Sequence, residues 1–381
     1  MRTIFFVLIF SSSTFSFSQD TIYARKVIKE LTSKKYSGRG YLKNGVEKAA
    51  IYLQSELKKY NAIPLFTNDY FQTYSFNVNT YPDDLLLKLN GKELKPGKDF
   101  IIAPESNSLD GIFPLTKIDS VTWRNESHDY PLFIERKKKL TFSVSTHTAP
   151  YCKFEVLETS IPKGNLVAEV EVENKFSIDY KCKNVCGYLK GTQNNDTMIV
   201  FTAHFDHLGG MGKKVFFPGA NDNASGVSFV LNLLKYYVKN PPKYKTLFLF
   251  FSGEEAGLLG SQFFTESKAV DLSKIKFLIN LDLLGTGEDG IMLVNGAIHE
   301  KEFTAIQKIN AEKNLVKEIK KRGKARNSDH YWFSEAGVPG FFLYTLGGVS
   351  FYHDIYDQAK TLSLADYNDV FKLVTTFINQ L

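Results

Sequence analysis

The sequence predicts an α/β protein, with a mostly parallel or mixed central sheet sandwiched between helices and a small β-rich insertion. Three observations carry this. From Asn184 onward, apolar strand-like runs alternate with amphipathic helical stretches, the pattern of a sheet covered by helices. Thr246–Phe251 and Ile275–Leu281 are almost continuously apolar, as strands buried on both faces must be. Between about Tyr81 and Lys183 the texture changes to short β-like runs between turn signals such as Asn90-Gly91 and Pro96-Gly97.

At the N-terminus, Arg2 precedes the apolar run Ile4–Phe10, and Ser16-Phe17-Ser18 offers the small residues a signal peptidase needs. Residues 1–18 therefore read as a signal peptide, cleaved after Ser18. The apolar run is too short to span a bilayer, and no later segment reaches spanning length. The expectation is an exported protein, periplasmic or extracellular, with no membrane span.

Helical periodicity follows over Thr21–Leu31 and Gly45–Tyr60, where Val46, Ala49, Ile51, Leu53 and Leu57 can share one face. Ser37-Gly38-Arg39-Gly40 between them is a turn, and Phe71–Val78 alternates as a strand. The insertion, 81–183, carries strand-like runs at Leu85–Leu89, Leu140–Val144 and Leu166–Val172. The remaining unit, 19–80 with 184–381, continues with a strand at Met198–Ala203. A helix over Ser225–Lys239 has Val227, Val230, Leu231, Leu234 and Val238 on one stripe, and Pro241-Pro242 stops it. Strands at Thr246–Phe251, Ile275–Leu281, Ile291–Val294 and Phe341–Tyr344 lead to a closing helix over Leu364–Ile378, with Val370, Leu373, Val374 and Phe377 inward.

The 381 residues are 43% hydrophobic, enough for a substantial core. The net charge of +6 is scattered, and the densest basic run, Arg136–Lys139, is short. Nucleic-acid binding, which needs clustered basic stripes and stacking aromatics, is not expected. Three cysteines, Cys152, Cys182 and Cys186, lack the partners of a zinc finger. Cys186 reads as a small core residue, and a Cys152–Cys182 disulfide is possible.

The chemistry lies in a few short segments: Ala203-His204-Phe205-Asp206-His207, Gly219-Ala220-Asn221-Asp222-Asn223-Ala224-Ser225-Gly226, Ser252-Gly253-Glu254-Glu255, Asn280-Leu281-Asp282 and Tyr352-His353-Asp354. In α/β sheets functional groups gather at the carboxyl ends of strands. His204 and Asp206, then Glu254 and Glu255, then Asp282 each follow a strand. His353 follows another through Gly347-Gly348, and Asp222 precedes a helix. Singly, each segment is ordinary: a His-x-Asp or a strand-end Glu pair is usually structural, and the Asn-Asp-Asn stretch could be a helix cap. Together they would bring several carboxylates into one crevice, where they repel unless a cation neutralises them. Two histidines with carboxylates form a donor set that suits zinc better than magnesium or calcium.

This ordered set resembles the zinc-dependent exopeptidases of peptidase family M28, which include secreted bacterial aminopeptidases, glutamate carboxypeptidases and glutaminyl cyclases. The resemblance covers about 184–381 and the N-terminal helices, and implies the hydrolase-like zinc-exopeptidase fold. It implies two zinc ions per chain bridged by Asp222, with Glu255 and His353 completing one site and His204 and Asp282 the other. It further implies Glu254 as general base, Asp206 holding His204, and a cis peptide between Asp222 and Asn223.

The sequence departs from the family pattern in places. Secreted aminopeptidases commonly carry a Tyr shortly before Ser-Asp-His, whereas Ser328-Asp329-His330 here follows Lys324-Ala325-Arg326-Asn327. Arg326 or Tyr344 could supply the oxyanion partner. Asn221 replaces an acidic residue. His207 and His330 are expected in supporting roles, His299 at the surface, and His128 and His147 away from the site. The expected activity is hydrolysis of N-terminal residues from peptide substrates. The alternatives are a single-zinc glutaminyl cyclase and a non-catalytic binding ectodomain on the same scaffold. A carboxypeptidase would need an arginine for the substrate carboxylate, for which Arg39, Arg322 and Arg326 are candidates.

Overall fold

A computed structural model describes residues 21–381 except His128 and Val349, so the signal-peptide expectation and His128 lie outside the described residues. Apolar runs with period-two side chains build a nine-stranded mixed sheet. Its strands are β1 (Ile63–Pro64), β2 (Phe71–Thr80), β3 (Lys175–Leu189), β4 (Met198–His204), β5 (Lys245–Phe251), β6 (Ile275–Leu281), β7 (Gly290–Val294), β8 (Ile319–Lys321) and β9 (Gly340–Leu346). The spatial order is β1-β3-β5-β4-β6-β9-β7-β8, with β2 on β3. β5, β4, β6 and β9 run parallel, so their carboxyl ends share one edge. β3 joins β5, and β7 joins β9, in antiparallel fashion.

Alternation along β4 and β5 sends side chains to opposite faces. Ile199, Phe201, Phe248 and Phe250 enter the larger core, against helices α1 (Thr21–Leu31), α2 (Gly45–Lys59), α3 (Gly226–Lys239), α5 (Glu300–Lys313) and α7 (Tyr367–Gln380). Val200, Leu247 and Leu249 face the other way, onto Phe264 of α4 (Leu259–Glu266) and Phe333 of α6 (His330–Glu335). Helices thus cover both faces, as the sequence predicts. Two stripe assignments fail: Ile51 and Val238 are exposed. Each lies beyond the face its neighbours bury, since the helical stripe is narrower than the apolar pattern.

Residues 86–172 supply an eight-stranded sheet of their own, antiparallel except where Leu132–Lys137 pairs with Cys152–Leu157. Its core, with Leu87, Phe100, Ile134, Phe154 and Val156 fully buried, also takes in Leu208, Met211 and Phe217 from the loops after β4. Lys175–Leu189 runs through position 183 and pairs with β2 over most of its length. Leu140–Val144 is not a strand. Its segment crosses to His353, and the Phe142 backbone bonds there instead of to a ladder. The three cysteines are free and buried, with Cys152 in the second core and Cys182 in the first. Among the described residues no helix is long and apolar enough to cross a membrane.

Candidate metal centre

The carboxyl ends of β4, β5 and β6 and the loop after β9 deliver their polar residues to one point. β4 ends on His204, which is 1% exposed. After β5, Gly253 turns with φ +68, a conformation that favours glycine, and a side chain there would collide with the Tyr74 hydroxyl. That turn presents Glu254 and Glu255. Asp282 follows β6. Asp222 precedes α3 in an irregular turn entered through Gly219 (φ +61) and containing a cis Asp222–Asn223 peptide.

His204 Nε2 lies 3.2 Å from Asp222 Oδ1 and 3.4 Å from Asp282 Oδ1. His353 Nε2 lies 3.3 Å from Asp222 Oδ2 and 3.1 Å from Glu255 Oε2. All five expected ligands therefore converge, with Asp222 between the two histidines. Ligating atoms of His204, Asp222 and Glu255 lie within 4.8 Å of one another, as do those of His204, Glu254 and Asp282. Glu254 is thus beside the His204–Asp282 pair.

Each imidazole is held at its other nitrogen. His204 Nδ1 is 3.2 Å from the Asp206 backbone carbonyl, nearer than the Asp206 carboxylate at 3.7 Å. His353 Nδ1 is 2.9 Å from the Phe142 carbonyl. The Asp206 carboxylate instead accepts from the Tyr41 hydroxyl at 2.8 Å and from the amides of Glu254 and Glu255 at 3.3 and 3.4 Å. It orients the glutamate turn as much as the histidine. Ser328 Oγ donates to Asp282 Oδ2 at 3.0 Å and is itself held by Asn280. His207 Nδ1 sits 2.6 Å from Glu255 Oε1, and its Nε2 is buried with no hydrogen-bond partner among the described residues.

Burial opposes a charge on His204, yet Asp282 and Glu254 raise its pKa well above the usual imidazole range. Burial likewise opposes His353, and Glu255 and Asp222 push it up to about 11. Burial, then Glu255, drives the Glu254 carboxyl well up. A cluster this rich in carboxylate demands positive charge. Asp282 Oδ1 is buried with no hydrogen-bond donor among the described residues. A buried carboxylate oxygen with no hydrogen-bond donor, beside the inward-facing His204 Nε2, fits a cation, and the mixed N/O donors fit zinc.

Sequence reasoning missed two supports. Arg39 is fully buried, and its guanidinium donates to the carbonyls of Phe205, Leu31, Pro218, Gly219 and Asp222 at 2.7–3.3 Å. It is therefore not available to hold a substrate carboxylate. An arginine between two glycines was the available signal. Asp357 accepts from the amides of Asn221 and Asp222 at 2.8–3.0 Å, fixing the turn that carries Asp222, and no spacing announced it. Of the two oxyanion candidates, Tyr344 lines a cavity of about 190 Å³ beside Asp222, whereas Arg326 lies over the Trp332 and Tyr331 rings. His299 is half-buried against Phe277 and Phe341, not a surface residue as expected.

An α/β sheet that gathers histidines and carboxylates at the carboxyl ends of its parallel strands defines a protein of the metallohydrolase class. The model of Peptidase family M28 matches residues 184–378, just over half of the chain. The chain belongs to Peptidase family M28. It is 30% identical over 182 residues to Aminopeptidase YwaD of Bacillus subtilis, covering 45% of this chain and 37% of that protein. It is 28% identical over 183 residues to a probable zinc metalloprotease of Pyricularia oryzae, covering 47% and 35%. The matched segment thus spans little more than a third of these curated relatives. A zinc aminopeptidase structure from Bacillus subtilis superposes with a TM-score of 0.69 at 17% identity, over 95% of each chain, which shows the shared fold.

Proposed function

We propose that this protein is an exported di-zinc aminopeptidase that hydrolyses N-terminal residues from peptides. The observation that carries the reading is the sharing of one carboxylate, Asp222, between two histidines, each with its own second carboxylate. His204 and Asp282 would hold one zinc, His353 and Glu255 the other, and Asp222 both. The names of the family relatives support zinc and aminopeptidase activity. The organisation proposed with it is a signal peptide at 1–18, a catalytic unit of 19–80 with 184–381, and an insertion at 81–183.

Zinc held by such donors supplies Lewis acidity and brings the pKa of a coordinated water to about 7. The chain supplies the rest. Glu254 takes the proton of the attacking water and delivers it to the leaving amine. Its place beside the His204–Asp282 pair suits that shuttle. Asp206, through the two glutamate amides, keeps Glu254 and Glu255 in their separate directions. The cavity lined by Leu283, Tyr344, Phe351 and Tyr352 would seat the side chain of the residue removed.

The test is metal content per chain on purified protein, paired with release from aminoacyl-anilides and N-blocked controls. About two zinc ions per chain and cleavage of free-amine substrates alone are expected. One zinc without hydrolysis would overturn the reading in favour of glutamine cyclisation, and no metal would leave a binding ectodomain.

A further inference from the structure

We propose that the insertion is a working part of the metal centre, with Phe142 as a positioning residue that holds His353 for one of the two metals. The inference rests on His353 being a metal ligand.

The contact is reciprocal. The Phe142 carbonyl faces His353 Nδ1 at 2.9 Å, and the Phe142 amide donates to the His353 carbonyl at 3.2 Å. A carbonyl can only accept, so it selects the tautomer with the proton on Nδ1. The Nε2 lone pair is then left facing Asp222 and Glu255. The amide contact bears on the backbone as well: His353 has φ +56, a left-handed conformation that a β-carbon disfavours and that surrounding structure must impose. Lys139 Nζ adds a third tie, to the Ser350 carbonyl at 3.0 Å.

The segment is itself braced. The Phe142 ring stacks on Phe217 with centroids 4.6 Å apart and planes 6° from parallel. Phe217 leads into Pro218 and Gly219, whose carbonyls Arg39 holds. Ile355, two residues after His353, packs against the insertion core. His204 has no such dependence, because its Nδ1 faces the carbonyl of Asp206 at the end of its own strand. The insertion thus bonds directly to one histidine of the centre and not to the other.

That asymmetry provides the test. Stepwise zinc removal by a graded chelator would be followed in wild type, Phe142→Ala, Phe142→Tyr and His353→Ala. In Phe142→Ala one zinc should be held about 10–100-fold more weakly, the other within about 2-fold, and Phe142→Tyr should restore the first. Equal weakening of both zincs, or of neither, would overturn the role of the insertion. If His353→Ala loses one zinc while Phe142→Ala loses none, only this inference fails. If His353→Ala keeps both, the ligand assignment itself fails. Should Phe142→Ala not fold, nitrogen NMR of histidine-labelled, zinc-loaded wild type decides the matter. The His353 signal should show a protonated Nδ1, and a proton on Nε2 would overturn the proposal.

Discussion

Asp222 divides its carboxylate between two histidines, with Oδ1 3.2 Å from His204 Nε2 and Oδ2 3.3 Å from His353 Nε2. Such sharing is costly for a 3% exposed side chain unless both imidazoles, or cations beside them, offset the buried charge. Its backbone is fixed to match: the Asp222 amide donates to Asp357 and its carbonyl accepts from Arg39.

Asp222→Asn keeps the shape and removes the charge. On the proposed di-zinc reading both zincs should weaken together, by on the order of 100-fold or more, read by chelator competition. Loss of one zinc with the other intact would contradict a bridging role.

Glu254 lies close to His204 and Asp282 yet belongs to a turn whose amides are fixed by Asp206. Glu254→Gln should keep both zincs and lower kcat by about 10²–10⁴. Metal analysis and steady-state kinetics on one preparation separate the possibilities. A missing zinc would make Glu254 a ligand, and unchanged kcat would remove it as the base.

Much of this site was legible because strand ends are legible. An apolar run such as Thr246–Phe251 between turn signals reads as a buried strand, and the polar residues that follow it emerge at the carboxyl edge. His204, Glu255, Asp282 and, through its loop, His353 stood out in that way, Asp222 stood out before a helix, and the ligand roles of all five came from the family resemblance. The supports were not legible, since they act across the chain. Arg39 meets carbonyls 166–183 residues away, and Asp357 caps amides 135 residues upstream. The apolar run Leu140–Val144 has the composition of a strand, but tertiary contact with His353 overrides that propensity.

Arg39 is the cation the cluster already contains. Burial lowers its pKa to about 10, and Asp357 and Asp222 oppose the shift, so it stays charged at neutral pH. Arg39→Met would leave carbonyls unpaired in a fully buried turn and should cost on the order of 3–5 kcal/mol in urea denaturation of metal-free protein. Arg39→Lys should recover little, because an ammonium cannot match a planar fork. A loss below about 1 kcal/mol would show that water replaces the guanidinium.

His330 gives a prediction that does not depend on metal. It starts α6 with 2% exposure, and its ring lies 5.3 Å from Phe342. Burial lowers its pKa to about 4 from 6.5. Between those values the unfolded chain binds a proton that the folded chain refuses. Stability attributable to His330 is therefore complete above pH 6.5 and lost as pH falls towards 4, by about 3 kcal/mol in all. His330→Phe keeps an aromatic ring against Phe342 and cannot titrate. Urea midpoints of the metal-free proteins from pH 7 to pH 4 should fall more steeply for wild type than for His330→Phe. Other acidic groups are common to both proteins, so the difference in slope isolates this imidazole. Parallel curves would mean that His330 takes up its proton in the folded state at an ordinary pKa.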